Sequence, residues 1–347
     1  MTNARTTIPI LDLSSARGED GAFTPEFLDA LRDAAHNVGF FQVTGYGARA
    51  GQDQELLDTV AEFFRLPLED RLALDNRTSP QFRGYTRLGT EITRGRADAR
   101  EQIDYGPERE PLIEVPADKP YLRLQGHNQW PAAFPQLEKA AMEWAELMSS
   151  VGAELLAAIS VSIGLPEDHF AEPFAGTPAW MGKLVHYVGT GVVPEAGGQG
   201  VGLHADYGFV TLLLQDQVGG LEVQPYGQEE WIAVPPTPGA LVVNLGEMLE
   251  VATDGYLMAT IHRVAAPPAG VDRYSVPFFW SPRLDAVIEK VDLPAELAAE
   301  ARGVSDDPEN PMLSSYGQNV LKGWLRAHPE TARIHYPELV GRPGAAG

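Results

Sequence analysis

His204-Ala205-Asp206 sets an imidazole and a carboxylate two residues apart. On a strand, residues i and i+2 share a face, so this pair would aim two metal ligands in one direction at a strand edge. His262 follows 58 positions later, inside another strand-like run, Thr260-Ile261-His262-Arg263-Val264. Two imidazoles and one carboxylate leave half of an octahedron open. That is the ligand set associated with non-haem Fe(II) that must bind a co-substrate and O2 together. Arg273 and Ser275 come 11 positions after His262 as a second i, i+2 pair. A guanidinium grips a carboxylate through two parallel hydrogen bonds and a neighbouring hydroxyl adds a third, so a dicarboxylate suits this pair.

Taken alone, His-x-Asp carries little information. With 8 His and 48 acidic residues in 347, chance supplies about one such triplet. His328-Pro329-Glu330 is an example, in a proline-interrupted segment with no strand to align its side chains. What sets His204 and Asp206 apart is their company, since His262 and Arg273-x-Ser275 follow in order within one stretch of strands. The bland alternatives are a polar trio without metal and an ordinary strand-face ion pair, and Arg77-Thr78-Ser79 shows that Arg-x-Ser recurs by chance. Gly198-Gln199-Gly200-Val201-Gly202 resembles a nucleotide loop, but it runs into His204 on a strand rather than a helix and no Lys-Ser/Thr follows. The hydrolase elbow Gly-x-Ser-x-Gly is absent.

The elements that must position these residues read in two textures. Ile8–Leu13 reads as a short edge strand. Thr24-Pro25 then supplies a cap and a first-turn proline for a helix whose Phe27, Leu28, Leu31, Ala35 and Val38 share one face. Gly39 closes it, Phe40–Val43 reads as a strand, and Gln54–Phe64 as a second amphipathic helix interrupted by Pro67. The stretch from Asp75 to Gln125 shows no sustained period and reads as loops with short strands. A long helix is expected over 135–163, ended by Gly164 and Pro166. Beyond it come short runs at Lys183–Val188, Phe209–Gln215, Leu221–Gln224, Trp231–Val234, Ala240–Asn244, Leu257–Ala265 and Tyr274–Trp280. Strands at that spacing predict a sandwich or jelly roll. A closing helix over 314–326 and a flexible tail over 341–347 complete the reading: an α+β protein with helices framing one β core.

Composition narrows the function. The chain has 26 Lys+Arg against 48 Asp+Glu and a net charge of −22. Such a surface repels polyanions and anionic membranes, so a small-molecule partner is expected, with no nucleic acid, no membrane and no obligate protein partner. With no cysteine, disulfides, thiolate nucleophiles, iron–sulfur clusters and Cys-type zinc sites are all excluded, and any metal must use nitrogen and oxygen ligands. Lacking a signal-peptide pattern, the protein is expected in the cytoplasm. Against the acidic background, six arginines between 77 and 100 face only Glu91 and Asp98. That contrast points to Arg83, Tyr85 or Arg94 as contacts for a substrate carboxylate, with a solvated loop as the plainer alternative. Phe279, in Phe279-Trp280, is a candidate pocket wall.

The ordered set His204-x-Asp206, His262 and Arg273-x-Ser275 resembles the 2-oxoglutarate/Fe(II)-dependent dioxygenases of the isopenicillin N synthase-like group. The resemblance extends over nearly the whole chain, through Gly39-Phe40-Phe41-Gln42-Val43 and Asn128-Gln129-Trp130-Pro131. It implies a single oxygenase domain over 1–340 built on a distorted double-stranded β-helix, with residues 1–125 as its N-terminal region and the metal site within 183–280. It implies that His204, Asp206 and His262 bind Fe(II), that Arg273 and Ser275 hold the distal carboxylate of 2-oxoglutarate, and that Tyr187 lies near that co-substrate. Val188-Gly189 stands where relatives often carry proline, and Val185 replaces an amide common in plant members, so the contacts to the other end of 2-oxoglutarate stay open. The implied reaction consumes O2 and 2-oxoglutarate, yields succinate and CO2, and oxidises an unactivated C–H bond of a small metabolite by hydroxylation, desaturation or cyclisation. An amino-acid-like molecule bearing a carboxylate is the expected substrate. Two rivals stand beside it: an iron oxidase of the same fold that does not use 2-oxoglutarate, and a non-catalytic metal-binding jelly roll.

Overall fold

A computed structural model describes residues 7–189, 199–304 and 310–340. In chain order the strands are β1 (Ile10–Asp12), β2 (Phe40–Thr44), β3 (Gly84–Thr86), β4 (Ile92–Thr93), β5 (Arg96–Ala97), β6 (Arg100–Tyr105) and β7 (Met181–Tyr187). They continue with β8 (Gln199–His204), β9 (Val210–Gln215), β10 (Leu221–Gln224), β11 (Ile232–Ala233), β12 (Leu241–Leu245), β13 (Ile261–Ala265) and β14 (Arg273–Trp280). Eight form a large sheet in the order β1-β2-β12-β9-β14-β7-β6-β3. Four form a small sheet in the order β11-β10-β13-β8, and β4 and β5 make a separate hairpin.

Alternation along the large sheet builds two cores. Leu212 and Leu214 of β9, Val243 of β12 and Leu184 of β7 pack on the helices. Leu213, Val242, Val185 and Tyr187, on the opposite face, meet Val201, Val223 and Val264 of the small sheet. Two sheets facing one another with helices behind one of them give the expected jelly roll in an α+β chain. The supporting helices start where their caps require. Thr24 accepts the Phe27 N–H ahead of the Pro25–Asn37 helix, and Gly39, at φ +68°, turns the chain from its end into β2. The Gln136–Ser162 helix buries Trp144, Met148, Val151, Leu155 and Ile159. By length and composition it could cross a membrane, yet 56% of its most apolar window is buried inside the fold. The tail over 341–347 lies outside the described residues.

The structure corrects the reading of 75–125. This stretch contributes β3 and the fully buried β6, whose sequence Arg-Glu-Gln-Ile-Asp-Tyr shows no apolar alternation. Its charges are matched by partners distant in sequence or across a turn. Arg100 pairs with Glu91 (2.9 Å) and Asp98 (3.3 Å), and Asp104 with Lys183 (2.7 Å), which also reaches Glu91 (3.4 Å). On the other face, Glu101 binds His186 (2.8 Å) and Arg71 (2.5 Å). Buried charges are tolerable only when paired in this way.

Burial opposes ionisation of Glu91, but Arg100, Lys183 and His328 together hold its carboxyl below the usual range. Removing one partner from such a cluster strands the others. Glu91→Gln is therefore expected to lose about 3 kcal/mol in urea unfolding at pH 7. The deficit against wild type should narrow as pH falls below the ordinary carboxyl value of 4.5, because the unfolded carboxylate takes up a proton before the folded one does.

Candidate metal centre

β8 and β13 run antiparallel with His204 directly opposite His262, and their ring centroids lie 4.2 Å apart. Each ring is anchored the same way. Nδ1–H of His204 donates to the Gly202 carbonyl (2.8 Å) and Nδ1–H of His262 to the Thr260 carbonyl (3.0 Å). These bonds set the tautomer that leaves both Nε2 lone pairs available. Asp206 Oδ1 lies 3.8 Å from Nε2 of His204 and 4.0 Å from Nε2 of His262. The three ligand atoms lie within 4.8 Å of one another.

Asp206 does not reach this position by strand alternation. β8 ends at His204, and Asp206 sits in the turn beyond it, its backbone carbonyl accepting the N–H of Glu247 (2.7 Å) at the start of the Glu247–Ala252 helix. Its Oδ2 accepts from Thr211 Oγ1 (2.6 Å) and Asn244 Nδ2 (2.7 Å), which keeps Oδ1 for the histidine side. Thr211 and Asn244 were not legible as site residues. The one available signal is that the two polar residues of an otherwise apolar strand, Thr211 and Gln215, fall on the same face.

Electrostatics prepare the trio for a cation. Burial lowers the His262 imidazole to about 4 and lowers that of His204 as well, so both are neutral at physiological pH. Burial alone would raise the Asp206 carboxyl, but the two histidines and the Asn244 and Thr211 donors outweigh it and hold the group low. Neutral imidazoles and an ionised carboxylate are the protonation states that a divalent metal requires.

Arg273 and Ser275 do share one face of β14, and each is 1% exposed. The Arg273 guanidinium lies 4.6 Å over the Tyr187 ring, its cross-strand neighbour, and Nη2 donates to Gln215 Oε1 (3.2 Å). Its Nε and Nη1, together with Ser275 Oγ, are buried without a protein partner. Orphaned donors of this kind are costly, and here they converge on one buried side of one strand pair. A bound carboxylate satisfies them, so the residues fit a dicarboxylate co-substrate held beside a three-donor metal.

The remaining candidates divide. Phe279 faces the same side as Ser275, in register with Thr211 and Met181, and so stands beside the Asp206 support. Tyr85 does not. It lies on the helix-facing side of β3 and donates its hydroxyl to Glu101, because its register partner Ile103 also faces the helices. Arg94 is exposed at φ +48° in the turn between β4 and β5. Arg83 is buried, with Nη1 donating to the Pro107 (2.8 Å) and Gly126 (2.6 Å) carbonyls.

Two family models match. Residues 8–133 match the non-haem dioxygenase in morphine synthesis N-terminal family, and residues 184–282 match the 2OG-Fe(II) oxygenase superfamily. A 2-oxoglutarate-dependent dioxygenase of Dothideomycetidae sp. is 35% identical over 96% of this chain and 94% of its own length. A homoarginine-6-hydroxylase of Oryza sativa is 32% identical over 82% of this chain and 88% of its own. A solved 2OG-Fe(II) oxygenase family protein of Caulobacter crescentus superposes with a TM-score of 0.72 at 27% identity, covering 92% of this chain and 99% of its own. Triad, orphaned clamp and matched sequence agree: the chain is a member of the Fe(II)/2-oxoglutarate-dependent dioxygenases, enzymes that use Fe(II), 2-oxoglutarate and O2.

Proposed function

We propose that this enzyme oxidises an unactivated C–H bond of a small, amino-acid-like metabolite that carries a carboxylate. His204, Asp206 and His262 hold the iron through one face, and Arg273 with Ser275 holds the distal carboxylate of 2-oxoglutarate. The observation that carries this reading is the set of buried donors without a protein partner, Nε and Nη1 of Arg273 and Oγ of Ser275, on the inner face of the sheet that also carries Thr211 and Asn244, the supports of Asp206. The homoarginine-6-hydroxylase similarity supports an amino-acid-like substrate.

Bound Fe(II), with 2-oxoglutarate and O2, supplies an oxidant able to attack a C–H bond, with succinate and CO2 as co-products. The protein's own residues do the positioning. Gly202 and Thr260 carbonyls fix the two imidazoles, while Thr211 and Asn244 fix the carboxylate, so three donors are pre-aligned and reorganise little on loading. Stacked on Tyr187 and tethered to Gln215, the Arg273 fork has little freedom to swing, which sets the direction from which a co-substrate approaches. Phe279 walls the side toward Met181. Which hydrogen faces the centre, and hence whether hydroxylation, desaturation or ring closure results, depends on how the substrate is held against these walls.

Anaerobic addition of Fe(II) and 2-oxoglutarate should give a weak visible charge-transfer band, and aerobic turnover should give succinate. His204→Ala should lose the band. Absence of both signals in wild type would defeat the reading. Arg273→Met should raise the KM for 2-oxoglutarate by about 10- to 100-fold, the loss of a charged hydrogen-bond pair, with metal affinity unchanged. Asn244→Leu should act on the other partner, weakening Mn(II) binding by about 10- to 100-fold in titration calorimetry while the circular dichroism spectrum is preserved.

A further inference from the structure

Three of the six arginines of the 77–100 segment are paired with acidic neighbours. Arg77 and Arg87 share Asp75, and Arg100 binds Glu91 and Asp98. Arg83 differs. It is 8% exposed, yet its guanidinium meets only neutral oxygens: the Pro107 and Gly126 carbonyls and Asn128 Oδ1 at 3.1 Å, all through Nη1. Among the described residues no carboxylate approaches it within ion-pair distance, and Nε and Nη2 donate to nothing. Carbonyl oxygens solvate a cation without cancelling its charge, and burial accordingly lowers this guanidinium to about 10, against a smaller opposing pull from Glu108 beyond ion-pair distance. Arg109, whose Nη2 donates to the Pro178 carbonyl (3.1 Å), is lowered by burial too and likewise has no acidic partner among the described residues.

Both guanidiniums line one cavity of about 50 Å3, walled by Tyr105, Trp180, Tyr316 and Trp324. At roughly 10–15 Å3 for each water-sized occupant, this admits a few atoms, the size of an acidic head group rather than a whole metabolite. Asp104 also borders the cavity, but Lys183 holds its charge at 2.7 Å, so the chamber's uncompensated charge is positive. Two of its wall residues lead toward the metal centre. Tyr316 approaches Gly208, two residues beyond Asp206, and Met181 is the register neighbour of Phe279. The backbone is bent to deliver Arg83: Phe82, at φ +59°, is wedged between Trp324 and Tyr336, with centroids 5.4 Å away on each side, and Gly84 follows at φ +106°. An aromatic residue in the left-handed region is uncommon and strained, and such strain persists where the surroundings enforce it.

We infer that Arg83, assisted by Arg109, is a substrate-specificity clamp that takes the carboxylate of the substrate, separate from the Arg273 clamp, with the rest of the substrate lying outside this chamber. This rests on the proposed function for its location but not for its charge logic. The test uses the full chain loaded with Mn(II) and 2-oxoglutarate without turnover. Amino acids and short aryl and alkyl carboxylates, each beside its primary amide, are titrated calorimetrically. The best acid should bind at least about tenfold tighter than its amide, the scale of one charge-assisted hydrogen-bond pair. Arg83→Gln should bring that ratio close to one and Arg109→Gln should narrow it, with Mn(II) and 2-oxoglutarate affinities unchanged. The inference is overturned if no acid outbinds its amide in wild type, or if the ratio survives in Arg83→Gln. Should Arg83→Gln not fold, an undiminished ratio in Arg109→Gln overturns it. Wild type that fails to bind Mn(II) and 2-oxoglutarate but keeps an Arg83-dependent acid preference would sink the proposed function and leave the clamp standing.

Discussion

One cross-strand pairing organises the molecule: His204 opposite His262. Directly opposed residues on antiparallel strands are held a few ångströms apart by the ladder itself, so the spacing of the two imidazoles is a property of backbone hydrogen bonding rather than of side-chain choice. Both rings then borrow a carbonyl from two residues earlier in the chain, which repeats the same anchor on each side. A register slip of one residue would turn one histidine to the other face and dissolve the centre. The large sheet, the helices behind it and the packing between the sheets can all be viewed as keeping that register.

The second organising fact is where burial is left unbalanced. β6 shows how this chain treats interior charge elsewhere, matching every carboxylate with Lys183, Arg100, Arg71 or His186. Arg273 and Ser275 break that habit although they are as deeply buried. Folding must carry the penalty of those bare donors, and the extensive core from Leu11 to Tyr316 supplies the offsetting apolar burial.

How much of this could be read from the chain follows from what each feature depends on. The Pro25–Asn37 helix, the Gln136–Ser162 helix and the apolar strands obey periods of 3.6 or 2 and carry their own caps, so local pattern sufficed. His204, Asp206, His262, Arg273 and Ser275 stood out because rare residue types fell at ordered spacings. β6 was invisible because its buried side chains are polar, and their partners lie on β7, on the Leu68–Leu72 helix and ahead of the β4–β5 hairpin. Thr211 and Asn244 are site residues only through the pairing of β9 with β12, which no single strand announces. Tyr85 was misplaced for a related reason: a three-residue strand gives no alternation from which to tell its two faces.

The triad is not evenly enclosed. The His204 side chain is 32% exposed, whereas those of Asp206 and His262 are 7% and 9%. The centre therefore has a front door and a back wall. A metal held here would be reached from solvent along the His204 edge, so a chelator would meet that ligand before the other two. An oxidant that such a centre formed without substrate would meet the rim around β8 first, so the ageing of this catalyst should be written there.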